Sequence, residues 1–162
     1  MRKNWLLLIA LTATVTAAAQ HKIHLNPDGV NKPKTYSQVV QVRGGRWVVT
    51  SGIVADDAQG TIVGKGDLQA QTRQCFENLK IVLAAAGASF ADVVKMHYYV
   101  VNYQPEQVAL IREVRSGYLP AENPPASTLV GVQALFHPDV LIEMEAVAVV
   151  KKAKKKRTAT NR

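Results

Sequence analysis

Two carboxylates, Glu143 and Glu145, stand two residues apart in VLIEMEAVAVV, an otherwise apolar run from Val140 to Val150. Side chains on a strand alternate between faces, so both acids fall on one side of it. Charged side chains are seldom buried without a partner. Such a pair suits a water-orienting or general-base role, or the polar rim of a wet interface. Other reactive types carry less. Cys75, the only cysteine, lies on the apolar stripe of a helix and reads as a small buried hydrophobe rather than a nucleophile. One cysteine also excludes an intrachain disulfide. His21 and His24 could chelate a metal near a free amino terminus, but no thiol or carboxylate cluster accompanies them, and no metal is assigned. Asp56 and Asp57 fall in a turn and are expected to be exposed.

The elements that must position these residues are organised around Gly66–Val101. Asp67 is placed as an N-cap before a helix with Leu68, Cys75, Leu79, Val82 and Ala86 on its apolar stripe. Gln69, Gln71, Arg73, Gln74, Glu77 and Lys80 fill the opposite, wet side. Gly87 suits a left-handed C-cap, and VVKMHYYVV follows as a strand. Its face carrying Val94, Met96, Tyr98 and Val100 is the more apolar and should meet the helix. Before this unit, YSQVVQV (36–42) and WVVTSGI (47–53) read as strands joined through Gly44-Gly45 in a hairpin turn. After it, a second helix buries Val108, Ile111, Val114 and Tyr118 and stops at Pro120. Thr128–Leu135 and Val140–Val150 form the closing strands. The order ββαβαββ predicts an α+β fold with both helices on one face of a mixed sheet. Apolar residues on the other face call for a cover, most economically another copy of the chain.

Length and charge bound the rest. A chain of 162 residues suits one domain. Residues 1–19, MRKNWLLLIALTATVTAAA, have the basic start, apolar centre and A-x-A end of a secretory signal peptide. Cleavage before Gln20 predicts a periplasmic or secreted protein without stable membrane insertion. Residues 20–35, rich in Pro and polar side chains, are expected to be irregular. The net charge of +8 rests on Arg2, Lys3 and the run Lys151, Lys152, Lys154, Lys155, Lys156, Arg157 and Arg162. Residues 20–150 are close to neutral, which argues against nucleic acid as a partner, and 151–162 read as a basic disordered tail.

The segment AQTRQCFENLKIVLAAAGASFADVVKMHYYV resembles the central helix and following strand of the RidA family, also called YjgF. TYSQVV, VVTSGIVADDAQGTIVG, PPASTLVGVQAL and PDVLIEMEAVAV resemble further family segments, in the family's order, over residues 36–150. The resemblance implies a six-stranded mixed sheet with two helices, chorismate-mutase-like, in a barrel-like homotrimer with small-molecule pockets between subunits and no cofactor. It also implies hydrolysis of reactive imines or enamines to a keto acid and ammonia. The family's site tyrosine falls on Tyr36, its site serine on Ser51 and its water-orienting glutamate on Glu143.

Other positions depart from the pattern. Ser127 stands where the deaminases carry a carboxylate-binding arginine, Leu129 replaces a cysteine, and Arg112 replaces an asparagine. Losing a bidentate contact to a carboxylate costs on the order of 2–5 kcal/mol, so the usual 2-imino-acid activity is expected to be weak. The readings this leaves are a deaminase-like hydrolase of a different small imine or enamine, and a trimer that binds a small metabolite without turnover. The family's reported ribonuclease activity is disfavoured by the near-neutral body and by the lack of a histidine pair at acid–base spacing.

Overall fold

The computed structural model describes residues 21–151; the expected signal peptide and all but the first residue of the basic tail lie outside them. The elements are β1 (His21–Leu25), β2 (Val39–Arg43), β3 (Arg46–Val49), α1 (Leu68–Ala85), β4 (Val93–Val101), α2 (Gln107–Ser116), β5 (Ala126–Val132) and β6 (Ile142–Val150). Hydrogen bonding groups the six strands into an antiparallel pair, β1–β2, and a four-stranded mixed sheet in the order β3–β6–β4–β5. Within that sheet β4 and β5 run parallel, with α2 as the crossover between them. The fold is α+β, with two helices and mixed sheets.

Helix α1 begins and ends as its sequence dictates. Asp67 Oδ1 accepts from the backbone N–H groups of Gln69 (2.9 Å) and Ala70 (3.0 Å), which the first helical turn leaves without partners. At the other end Gly87 adopts φ +65°. Its N–H reaches Ala84 O at 2.9 Å, and that of Ala88 reaches Leu83 O at 2.8 Å. The pair of bonds is a Schellman motif, which a left-handed residue permits.

The core is the interface of the helices with one face of the four-stranded sheet. Met96, Tyr98 and Val100 from β4 and Ile142, Met144, Ala146 and Ala148 from β6 are buried with Phe76, Leu79 and Leu83 of α1. Phe76 stacks on Tyr118 just past α2, with ring centroids 4.7 Å apart and planes 8° apart. From Met96 onward the helix-facing side of β4 is the one its alternation predicts; at its start a bulge between Val93 and Lys95 puts Val93 rather than Val94 in the core cluster.

Several expectations are corrected. The segment 20–35 is not wholly irregular: His21–Leu25 pairs with Arg43–Val39 as β1, and the chain leaves extended pairing only where Pro27 and Gly29 intervene. Gly44 and Gly45 do form a turn, with φ of +68° and +100°. The strands on either side do not pair with each other there; β2 pairs with β1 and β3 with β6. The closing strands are shifted, β5 to 126–132 and β6 to 142–150. On α1, Val82 is exposed and Leu83 takes the core position, because 3.6-residue periodicity leaves the two neighbours competing for one edge of the stripe.

Gln71, assigned to the wet side, is fully buried. Its amide substitutes for water. Nε2 donates to Asp139 O at 2.7 Å and Oε1 accepts from Leu141 N–H at 2.8 Å, clamping the chain where it enters β6. Gln71→Met preserves volume but strands those backbone groups. It is expected to lower stability by about 1–3 kcal/mol, seen as a lower urea midpoint at unchanged slope.

Candidate functional site

The cleft beside β5 is built from the segment before β2. Ser37 N–H bonds Pro125 O at 3.2 Å and Ser37 Oγ donates to Pro124 O at 2.6 Å. The ring of His24 stands 3.1 Å from both Ser37 Oγ and Pro124 O. These ties fix Tyr36 beside the start of β5. In the parallel register Ser127 pairs with Met96 and Leu129 with Tyr98, so Ser127 and Leu129 share the helix side of the sheet with those buried residues. Helix α2 crosses above them. The result is a cleft of about 180 Å³ lined by Thr35, Tyr36, Tyr98, Val108, Ile111, Arg112, Arg115, Ser127 and Leu129.

Four of the expected site residues therefore meet: Tyr36, Arg112, Ser127 and Leu129. Arg115 was missed. It follows Ile111 by one helical turn, so it shares that residue's face, and it is buried with its guanidinium on Thr35 O. The spacing was legible in the sequence; the residue type argued against burial.

The other two expected residues lie elsewhere. Glu143 pairs in register with Tyr99, and Glu145 with His97, on the face of β4 and β6 turned away from the helices. There Glu145 accepts from Tyr99 Oη at 3.2 Å and lies 3.6 Å from His97 Nδ1. Glu143 rests over Gly52: a methyl group built on that glycine would stand 1.6 Å from Glu143 Oε1. Burial first, and the charge of Glu145 second, hold the Glu143 carboxyl above its ordinary range. Ser51 is exposed beside Gly52, with Oγ 3.4 Å from the Gly52 carbonyl. Lys95 on the same face donates to Thr128 Oγ1 at 2.6 Å, and burial pushes its amine below the ordinary range.

Chemically the two faces differ. The helix-side cleft offers cations and an aromatic wall, suited to holding an anion. The open face offers a carboxylate with raised proton affinity, which makes it a stronger proton acceptor than an ordinary glutamate. One copy of the chain does not bring these halves to the same side of its sheet.

The remaining candidates resolve into structural roles. Cys75 is fully buried with Sγ 3.7 Å from Ile142 O. Burial, then the nearby Asp56 and Glu143 charges, pushes its thiol well above the usual range, so it stays protonated and unreactive. Asp57 closes its turn by accepting from Gln59 and Thr61 N–H groups, each at 2.9 Å. The Asp56 carbonyl and carboxylate are held by Asn78 Nδ2.

Comparison with known proteins places the chain in one family. A family described as Endoribonuclease L-PSP matches residues 29–150. A RutC family protein of Pyrococcus abyssi is 40% identical over 113 residues, covering 70% of this chain and 84% of that protein. A protein named 3-aminoacrylate deaminase RutC, from Acinetobacter baylyi, is 38% identical over 103 residues, covering 64% and 79%. Among solved structures, a conserved Rid family protein of unknown function from Yersinia pestis superposes with a TM-score of 0.72. It is 40% identical over 80% of this chain and 98% of its own.

The raised affinity of Glu143 for a proton has a thermodynamic consequence. A carboxyl whose folded-state pKa exceeds its unfolded value binds more protons when folded, so the protein loses stability as pH rises through that window. Glu143→Gln removes this term. Its stability relative to the parent is expected to be unchanging well below pH 4.5 and to improve as pH rises above it, checked by thermal melts across pH 3–8.

Proposed function

The chain belongs to the endoribonuclease L-PSP family, the family of the Rid and YjgF proteins, and from that membership we propose that it is a deaminase-like hydrolase of a small imine or enamine. The observation that carries the reading is the division of the candidate residues between the two faces of one sheet. The cleft that suits an organic anion faces the helices, and Glu143 faces the other way. Both serve one ligand if copies of the chain pack so that the open face of one meets the cleft edge of the next. That arrangement fits a homotrimer with its pockets between subunits, and exposed Trp47 and Val49 on β3 are consistent with a covered face.

In such a pocket Tyr36 walls the substrate, and Ser127 and Ser51 donate or accept hydrogen bonds. Glu143 orients a water against the electrophilic carbon. The substrate reacts as its protonated iminium: as the carbon–oxygen bond forms, Glu143 takes one proton from the water and the C=N electron pair moves onto nitrogen, leaving a neutral carbinolamine. Glu143 returns that proton to the amine nitrogen, the carbon–nitrogen bond breaks as the hydroxyl oxygen closes the C=O bond, ammonia leaves, and the hydroxyl proton passes back to Glu143, leaving a carbonyl compound. No redox partner or cofactor enters this balance. The similarity to a named 3-aminoacrylate deaminase, whose substrate is an enamine carboxylate, supports the same class. A cleft of about 180 Å³ suits a small molecule better than a polynucleotide. Residues 1–19 are proposed to direct export, which places the substrate outside the cytoplasm.

The test couples an amino-acid oxidase, as a source of 2-imino acids, to the mature protein, with semicarbazide trapping the imine that escapes hydrolysis. The parent is expected to reduce the trapped product, with the cations of the helix-side cleft holding the carboxylate that Ser127 cannot. Glu143→Gln should lose about 10²–10⁴-fold in turnover, and the activity of the parent should fall as pH drops through the raised pKa of Glu143. Gly52→Ala should also lose turnover, because its methyl displaces the carboxylate, while the fold is kept. Full activity in Glu143→Gln would remove the hydrolase reading. Carboxylate binding without turnover in the parent would leave a metabolite-binding protein. Mass measurement of the native protein is expected to give three chains.

A further inference from the structure

We infer that the negative charge of the ligand is seated on helix α2, by Arg112 and Arg115, with the hydroxyl of Tyr98 completing the seat. The inference rests on the site proposed above and adds the residues of this chain that anchor the anion.

Four observations carry it. Arg115 is 8% exposed, yet among the described residues no carboxylate lies within ion-pair distance of it. Its guanidinium has five donors, and its hydrogen bond within the fold is to Thr35 O. A buried cation with spare donors and no counter-charge is costly unless something anionic completes it. Second, Tyr98 is 2% exposed, lines the cleft, and its hydroxyl has no hydrogen-bond partner. Burial raises its phenol, and the Arg115 charge works in the opposite direction, which places the two groups in one electrostatic neighbourhood. A buried hydroxyl left unsatisfied is rare in a finished structure.

Third, the cleft continues outward into a second lobe of about 170 Å³ that shares Thr35, Arg112 and Arg115 and adds Lys34. Three cations and no acid line the two lobes, although the domain as a whole is near neutral. Fourth, Val108, Ile111 and Leu129 give the inner lobe an apolar wall. A carboxylate head on the arginines and a short hydrocarbon body on that wall satisfy every group named. The seat also compensates for Ser127, which cannot supply a charge from β5.

The experiment is calorimetric titration of the native protein with benzoate and with neutral benzamide, which share a ring and differ in charge. Benzoate should bind and benzamide should bind at least about 10-fold more weakly. Arg112→Gln, at an exposed position that tolerates change, should weaken benzoate by about 10- to 100-fold and leave benzamide unaltered. Tyr98→Phe should weaken benzoate while raising the melting temperature, since it deletes an unsatisfied buried hydroxyl; a merely structural tyrosine would show the reverse. Arg73→Gln, an exposed cation on α1 outside both lobes, should leave benzoate binding unchanged.

Equal binding of benzoate and benzamide, or benzoate binding indifferent to both Arg112→Gln and Tyr98→Phe, overturns the inference. So does an equal loss with Arg73→Gln, which would mark unspecific attraction. Binding is read without turnover, so a protein that holds benzoate on Arg112 and hydrolyses no imine refutes the enzymatic reading and keeps the seat. One that hydrolyses imines with Arg112→Gln at parental efficiency does the opposite.

Discussion

The packing of α1 against one face of β4 and β6 is the constraint from which the rest of the arrangement follows. Once Met96, Tyr98, Ile142, Met144 and Ala146 are committed to that interface, the period of two along each strand leaves no freedom for the intervening residues. His97, Tyr99, Glu143 and Glu145 must then face away from the helices. The division of the candidate site is thus a by-product of core formation rather than a separate design. A one-residue slip of β6 would bury both carboxylates and expose Met144, which explains why its entry is so firmly held. Gln71 from α1 grips the backbone of residues 139 and 141 on the near side of β6. A buried amide is a register device here: it is satisfied by one alignment of the strand and by no neighbouring one.

The two halves of the site sit in different electrostatic settings for reasons visible in the fold. The open face carries two carboxylates two residues apart on β6, and partial burial, then the charge of Glu145, favours the protonated form of Glu143. The helix side concentrates cations because α2 presents Arg112 and Arg115 one turn apart over a parallel strand pair that carries no acid. A ligand bridging an anion seat and a proton acceptor would need both, and they face opposite solvent compartments of a single chain. The proposed association of copies would unite them, and the apolar residues left on the open face would gain cover as well.

Relatives of known fold show that the scaffold is shared. Retaining the strand–helix frame costs little sequence freedom at the site, because Tyr36, Arg112, Ser127 and Leu129 project from the ends and edges of elements whose cores are secured elsewhere. In the proposed seat the charge comes from α2, at positions beside the core cluster rather than within it.

Local patterns in the chain were enough to determine the caps of α1, the inward face of β4, the inert setting of Cys75 and the α+β class. Each depends on spacing within one element, where side-chain direction follows from backbone geometry alone. The resemblance of the motifs likewise pointed to Tyr36, Ser127, Leu129 and Arg112 as site residues. Only the tertiary structure decided that β1 exists, that β2 and β3 take different partners, and that Gln71 and Arg115 are buried. These outcomes depend on what stands opposite a residue: a strand edge for His21–Leu25, the open backbone of residues 139–141 for Gln71, and a carbonyl and a cavity for Arg115. Pairing across long separations in sequence is invisible to periodicity, and polar side chains enter the interior only where such a distant partner satisfies them.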